Sequence, residues 1–195
     1  MDKQGVAYVA FGAQAEQEQE QAVASLQRVH SWPVEVVRNA PLGLTDMQAS
    51  RWAKTHLLDL VPFEQILYLD ADTRVQGDLS AGFQVLDDGW DIALAFSENQ
   101  GQDWLWHVGD EERNATRAAW GGMEPLQLQA GMMFVARNER TYELFAEWQR
   151  QWAQWKDQDQ GALLRALRIK PVRVWLFGRP WNGGALVRHL FGRTR

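Results

Sequence analysis

Asp70 and Asp72 are the residues whose type and spacing point most directly to chemistry. They close the run Leu67-Tyr68-Leu69-Asp70-Ala71-Asp72-Thr73, which reads as a buried strand followed by acids. Positions two apart on a strand share a face, so the pattern sets two carboxylates side by side. The C-terminal end of a strand is where open α/β sheets bind ligands. Adjacent carboxylates repel, and a cation or a shared proton relieves them. A divalent ion, Mn2+ or Mg2+, suits such a pair and leaves coordination positions for phosphate oxygens. A turn in which each Asp bonds its own backbone is the purely structural alternative. The apolar strand ahead of x-Asp-x-Asp favours the metal.

The rest of the chain supplies elements to hold that strand. Strands are predicted over residues 6–11, 33–37, 65–72, 91–96, 129–136 and 172–177. Helices are predicted over residues 15–30, 139–156 and 160–167, with another capped by Thr45 or Asp46 and running to about Leu60 before Pro62. The Glu/Gln repeat of residues 16–21 reads as a solvated helix face. Residues 97–125 are polar and rich in Gly, Asn and Trp, the composition of a long functional loop. No repeat or linker interrupts the alternation. The expected fold is one α/β domain, residues 1–195, with a Rossmann-like, mainly parallel central sheet flanked by helices.

Composition narrows the classes. The 195 residues contain no Cys, which excludes a thiol nucleophile, a zinc–thiolate site and an iron–sulfur cluster. Net charge is −5 and no basic stripe appears, so nucleic acid is not an expected partner. The chain carries 16 Arg against 4 Lys, and Arg suits bidentate contacts to an anionic small ligand, although a compositional bias gives the same numbers. No stretch reaches the roughly 20 apolar residues of a membrane span, and no targeting segment is visible, so the expected location is cytoplasmic. Eleven Trp is an unusual number. Trp148, Trp152 and Trp155 recur on one helix face and read as core or interface. Trp52 and Trp175 read as packing residues inside a helix and a strand.

Two families carry an acidic motif of this kind. In haloacid-dehalogenase-like phosphatases, Asp-x-Asp-x-Thr follows an apolar strand and its first Asp is a covalent nucleophile. That motif belongs on the first strand and needs a later strand ending in an acidic pair, and neither condition is met here. The segment from Phe63 to Leu79 instead resembles the central motif of glycosyltransferase family 8, the glycogenin-like and galactosyltransferase-like enzymes of the GT-A fold. Gln129-Ala130-Gly131, Asp159-Gln160-Gly161-Ala162-Leu163, Arg179-Pro180-Trp181-Asn182 and His189-Leu190-Phe191-Gly192 resemble further segments of that family, in its order.

The resemblance implies metal-dependent, retaining transfer of a hexose from a nucleoside diphosphate sugar, UDP-glucose or UDP-galactose, to a glycan or other acceptor. It implies a donor-binding half at 1–96, an acceptor-side loop at 97–125 and a C-terminal part at 126–195. Asp70, Asp72 and His189 match its metal ligands, with Mn2+ better suited than Ca2+ to mixed carboxylate and imidazole ligation. Asp159 and Gln160 match residues beside the donor sugar, in catalytic positions. Ala10, Phe11, Ala71, Gln129, Ala130, Gly192 and Arg193 match donor-binding positions, and Arg51 or Lys54 fills the part of a basic donor contact. The loop residues Trp104, Trp106, Trp120 and Trp181, with Asn182, are acceptor-side candidates, because aromatic faces stack on sugar rings. A relative that binds nucleotide sugars or glycans without catalysis is the alternative reading.

Overall fold

The computed structural model describes residues 3–96 and 103–190. Eight strands occur among them: β1 (Gln4–Val9), β2 (Val34–Val37), β3 (Gln65–Asp70), β4 (Thr73–Val75), β5 (Ile92–Phe96), β6 (Leu128–Ala136), β7 (Val174–Phe177) and β8 (Val187–His189). Six form a central sheet in the order β2-β1-β3-β6-β5-β7, and β4 pairs with β8 in a separate antiparallel ribbon. Pairings β1–β2, β1–β3 and β5–β7 are parallel, and β6 runs antiparallel between β3 and β5. The expected α/β architecture with a mostly parallel sheet is therefore present.

Helices α1 (Ala13–Gln27), α2 (Asp46–Thr55), α3 (Leu57–Leu60), α4 (Ser80–Asp87), α6 (Glu139–Trp152) and α7 (Asp159–Ile169) flank the sheet, and α5 (Asp110–Ala119) packs on α7. Alternation along the strands divides the core into two layers. Ala7, Val9, Ile66, Tyr68 and Met133 meet Ala53, Leu57, Leu144, Trp148 and Leu163 on one face. Val6, Tyr8, Leu67, Leu69 and Phe134 meet Ala22, Leu26, Phe83 and Leu86 on the other. At about 25 cal/mol per Å2 of apolar surface removed from water, these buried runs are the main force fixing each strand's face. No described helix is long and apolar enough to cross a membrane.

Several boundaries differ from the sequence expectation for identifiable reasons. Thr45 is the cap of α2, through a reciprocal capping box with Gln48. The helix does not continue to Leu60 unbroken: His56 leaves helical geometry, its Nδ1 meets the Trp52 carbonyl at 2.7 Å, and α3 starts afresh. β3 stops at Asp70, so Ala71 and Asp72 form the turn into β4 rather than the end of one strand. The Glu/Gln repeat is not wholly solvated. Gln19 is buried and accepts from Arg38, and Glu18 pairs with Arg74. Helix α5 lies inside the stretch expected as loop, because the face it buries is polar, Glu112 and Thr116, and leaves no apolar periodicity to read. Trp175 is not a packed strand residue: β7 is an edge strand, and Trp175 is 40% exposed there, edge-on to Trp90.

Candidate active site

A cavity of about 800 Å3 opens at the C-terminal ends of β1 and β3. One wall is the α2 face carrying Ser50, Arg51 and Lys54, and another is the start of α7 with Asp159 and Gln160. β6 enters from the opposite direction. Its register against β5 jumps between Leu94 and Ala95, from Met133 to Gln129. This irregularity sets Gln129, Ala130 and Gly131 against the cavity.

Asp70, Asp72 and His189 converge on the cavity floor, each with a ligand atom within 4.8 Å of the others. His189 Nε2 lies 3.0 Å from Asp72 Oδ1 and 3.7 Å from Asp70 Oδ2. Asn182 Oδ1 accepts from His189 Nδ1 at 2.7 Å, which turns Nε2 toward the carboxylates. Gly131 makes this approach possible: a Cβ there would stand 2.4 Å from His189 Cε1 and 2.7 Å from Asp70 Oδ2. Two carboxylate oxygens and an imidazole nitrogen over a side-chain-free backbone fit a divalent ion such as Mn2+ or Mg2+.

Lys54 connects this floor to α7. Its ammonium is 3.0 Å from Asp70 Oδ1 and 2.9 Å from Asp159 Oδ2. Burial opposes the charge on Lys54, but Asp159 and then Asp70 outweigh it, so its pKa is raised. Burial likewise works against ionised Asp159, and Lys54 reverses it, holding that carboxyl below its usual value. The Tyr68 hydroxyl donates to Asp70 Oδ1 at 2.6 Å, and burial followed by the Asp70 charge raises its pKa well above that of a free phenol. An ion pair this buried is a poor device for stability alone, because desolvation cancels most of the attraction.

Helix α6 fixes the position of Asp159. The buried Trp148 donates its indole N–H to the Asp159 carbonyl at 2.9 Å, and Trp152 donates to the Asp157 carbonyl at 3.1 Å. Trp148 and Trp152 are core, as their spacing predicted, and they also pin the start of α7. Trp155 falls past the end of α6 and lies over the Arg165 guanidinium at 4.4 Å.

A family model for glycosyl transferase family 8 matches residues 6–176. The chain belongs to glycosyltransferase family 8. Comparison with curated proteins gives no match. Among solved structures, it resembles a glycosyltransferase involved in glycosylation of the major capsid of PBCV-1, at 12% identity, with 97% of this chain and 94% of that one covered and a TM-score of 0.68. It also resembles the bifunctional glycosyltransferase WbbM, at 15% identity over 93% of this chain but 40% of that longer one, with a TM-score of 0.66. The galactosyltransferase LgtC follows at 16% identity, 93% and 75% coverage and a TM-score of 0.60. At these identities the likeness concerns the GT-A fold, and the family assignment makes the chain a glycosyltransferase by class.

Within this family 8 chain, the cavity lining includes Asp70, Ala71, Asp72, His189, Asp159, Gln160, Arg51, Lys54, Phe11, Gln129 and Ala130, all singled out from the sequence. Ala10 is not among them: it lies beyond β1, is buried and accepts no place on the wall. Gly192 and Arg193 lie outside the described residues. Of the four loop Trp, Trp106 lines the cavity. Trp104 packs on the core and donates to the Pro125 carbonyl, Trp120 donates to the Leu164 carbonyl, and Trp181 stacks on Phe177 at 3.9 Å on the far side of the sheet. Asn182 is buried against His189 rather than facing an acceptor. Sequence reasoning passed over His107, Glu18, Asp46 and Ser50, which also line the cavity. No periodicity or motif marks them.

Proposed function

We propose that the protein transfers a hexosyl group, with retention, from a nucleoside diphosphate sugar, UDP-glucose or UDP-galactose, to a glycan or other hydroxyl acceptor. The supporting observation is the convergence of Asp70, Asp72 and His189 beside the Lys54–Asp159 pair in one cavity. A divalent ion held by Asp70, Asp72 and His189 would supply charge neutralisation to the diphosphate. Lys54 and Arg51 add positive charge on the same wall and favour the phosphates in the pocket. Asp159 is held ionised by Lys54, with its backbone pinned by Trp148, and it supports positive charge developing at the anomeric carbon. Gln160 is fixed by Gln127 at 3.1 Å and Gln129 at 3.3 Å, and presents its amide to sugar hydroxyls. Phe11 offers an apolar surface to the base. In the transfer, the anomeric carbon–phosphate oxygen bond breaks, its electron pair leaves with the nucleoside diphosphate, and the acceptor oxygen bonds to the anomeric carbon. The products are the glycoside and the diphosphate, which takes up the acceptor's proton.

The test is incubation with a panel of UDP- and GDP-sugars and Mn2+, following diphosphate release and the melting temperature. UDP release from one hexosyl donor, with a rise in melting temperature on adding UDP and Mn2+, is expected. No release from any donor and an unchanged melting temperature would overturn the reading.

A further inference from the structure

Two of the three candidate metal ligands ride on a small ribbon. Asp72 lies in the turn that enters β4, and His189 closes β8. These strands are three residues each and pair with one another, apart from the central sheet. A two-stranded ribbon of this size is marginal by itself, so its place depends on what grips it.

The grip comes from α1. Glu18, Gln21 and Ser25 fall at i, i+3 and i+7, on one helix face, and that face meets β4. The Val75 N–H donates to Ser25 Oγ at 2.9 Å. Arg74 makes the larger contact. Its Nη2 donates to the Glu18 carboxylate and, at 2.9 Å, to Gln21 Oε1. Its Nη1 turns back on the acidic turn and donates to the Thr73 carbonyl at 2.9 Å, with longer contacts to the carbonyls of Glu18 at 3.4 Å and Ala71 at 3.5 Å. One side chain therefore holds the helix and the backbone on both sides of Asp72. On the ribbon's far strand, the Leu190 N–H donates to the Asp72 carbonyl at 3.0 Å.

The register shows why Arg74 needs its acid. It stands directly opposite Arg188, and like charges facing each other across a ribbon are unfavourable. Glu18 supplies the compensating charge. A forked guanidinium also reaches an acid with one nitrogen and carbonyls with another, which an apolar strand residue or a compact ammonium does not. Glu18 itself lines the cavity, so this clamp stands at the edge of the site.

We propose that Arg74 is a positioning residue for the metal site: braced by Glu18 and Gln21, it sets the turn at residues 71–73 so that the Asp72 carboxylate meets His189 and Asp70. The Glu/Gln repeat of α1 is then a support of the site. This rests on the metal-dependent reading above and adds the residues that hold its acids in place. Arg74 acts through backbone carbonyls and not on a ligand atom.

Mn2+ binding in the presence of UDP, followed by calorimetry and by electron paramagnetic resonance of the bound ion, tests this on the full chain. Arg74→Leu should weaken Mn2+ binding about 10- to 100-fold and shift the resonance spectrum. Arg74→Lys, which keeps the charge beside Glu18, should recover part of that loss. Glu18→Gln should weaken binding about ten-fold, and the Arg74→Leu/Glu18→Gln double variant should lose little beyond Arg74→Leu, because the pair acts as one unit. In the metal-free protein, hydrogen exchange at the Leu190 amide should quicken about ten-fold in Arg74→Leu. Arg188→Leu, at the exposed cross-strand position, should bind Mn2+ within about two-fold of wild type. A folded Arg74→Leu with Mn2+ affinity within about two-fold of wild type and an unchanged spectrum overturns the positioning role. Where Arg74→Leu does not fold, unchanged Mn2+ affinity in Glu18→Gln overturns it. So does an equal loss in Arg188→Leu, since any change to the ribbon would then suffice. A wild type that binds neither UDP nor Mn2+ removes the donor reading itself, and the positioning role with it.

Discussion

Asp91 and Asp70 stand at opposite ends of the strands of the same sheet and do opposite work. Asp91 immediately precedes β5 and is fully buried. Its two oxygens take bonds from Asn138 at 2.9 Å, from Arg140 at 2.5 and 2.8 Å, and from the Arg173 backbone N–H at 2.9 Å. The carboxylate is filled by donors from two segments, so it ties the start of β5 to the starts of α6 and β7. Asp70 closes β3 at the other end of the strands, and its neighbours are a lysine shared with a second acid, a tyrosine and a histidine facing a third acid. It borders a cavity, and Asp91 does not line that cavity. Burial and an ion pair are common to both residues. What separates a joint from a site is whether the acid shares open space with other groups able to bind the same ligand.

The contrast can be broken experimentally, and the largest effect belongs to the cavity. Asp72→Asn should lower UDP release roughly 100- to 1000-fold, the weight of several kcal/mol of metal charge stabilisation, with the melting temperature unchanged. Activity that survives in this variant would make Asp72 another joint. Asp91→Asn should do the reverse. It removes a buried bidentate partner of Arg140 and should cost about 2–4 kcal/mol in urea unfolding, leaving UDP affinity of the folded protein intact. Burial opposes the Asp91 charge, but Arg140, the Arg173 N–H and Asn138 outweigh it and hold its pKa below the ordinary 3.8. That contribution is therefore present above pH 3.8 and is lost as the pH falls through the lower folded value. Asp91→Asn should flatten the acid limb of the stability curve. Asn182→Ala is the smallest change: it frees the His189 ring and should weaken Mn2+ binding about 10- to 100-fold by calorimetry, with Asp70 and Asp72 still in place.

The central acids were legible because the signal is local. An apolar strand running into Asp-x-Asp places both carboxylates whether the second sits on the strand or, as found, in the turn after it. Asp159, Lys54 and His189 come from remote segments, and the resemblance to the family brought them together where local pattern could not. Residues 182 and 189 lie beyond the stretch matched by the family model. The alternation of strands and helices was legible for the same reason as the acids, since buried strands read as apolar runs. Helix α5 was hidden because Arg165 lies buried against its face, bonded to Glu112 at 2.9 Å and to Thr116 at 2.5 Å, so polar residues occupy the positions where apolar ones are sought. The Trp residues show a further limit. Trp104 and Trp106 are equivalent by type and loop position, and the left-handed backbone of Leu105 sends one inward and one outward.

The antiparallel course of β6 has a consequence for how such a protein can diverge. The chain leaves the sheet at Phe96 and rejoins it at Leu128, and these two residues are partners in the β5–β6 ladder. Both ends of the intervening segment are thus anchored side by side near the cavity. Doubling the length of a flexible segment held this way costs only about 0.6 kcal/mol in closure entropy. Insertions and deletions here leave the strand order intact while changing what is delivered to the mouth of the pocket. The scaffold carries an exchangeable part beside the pocket.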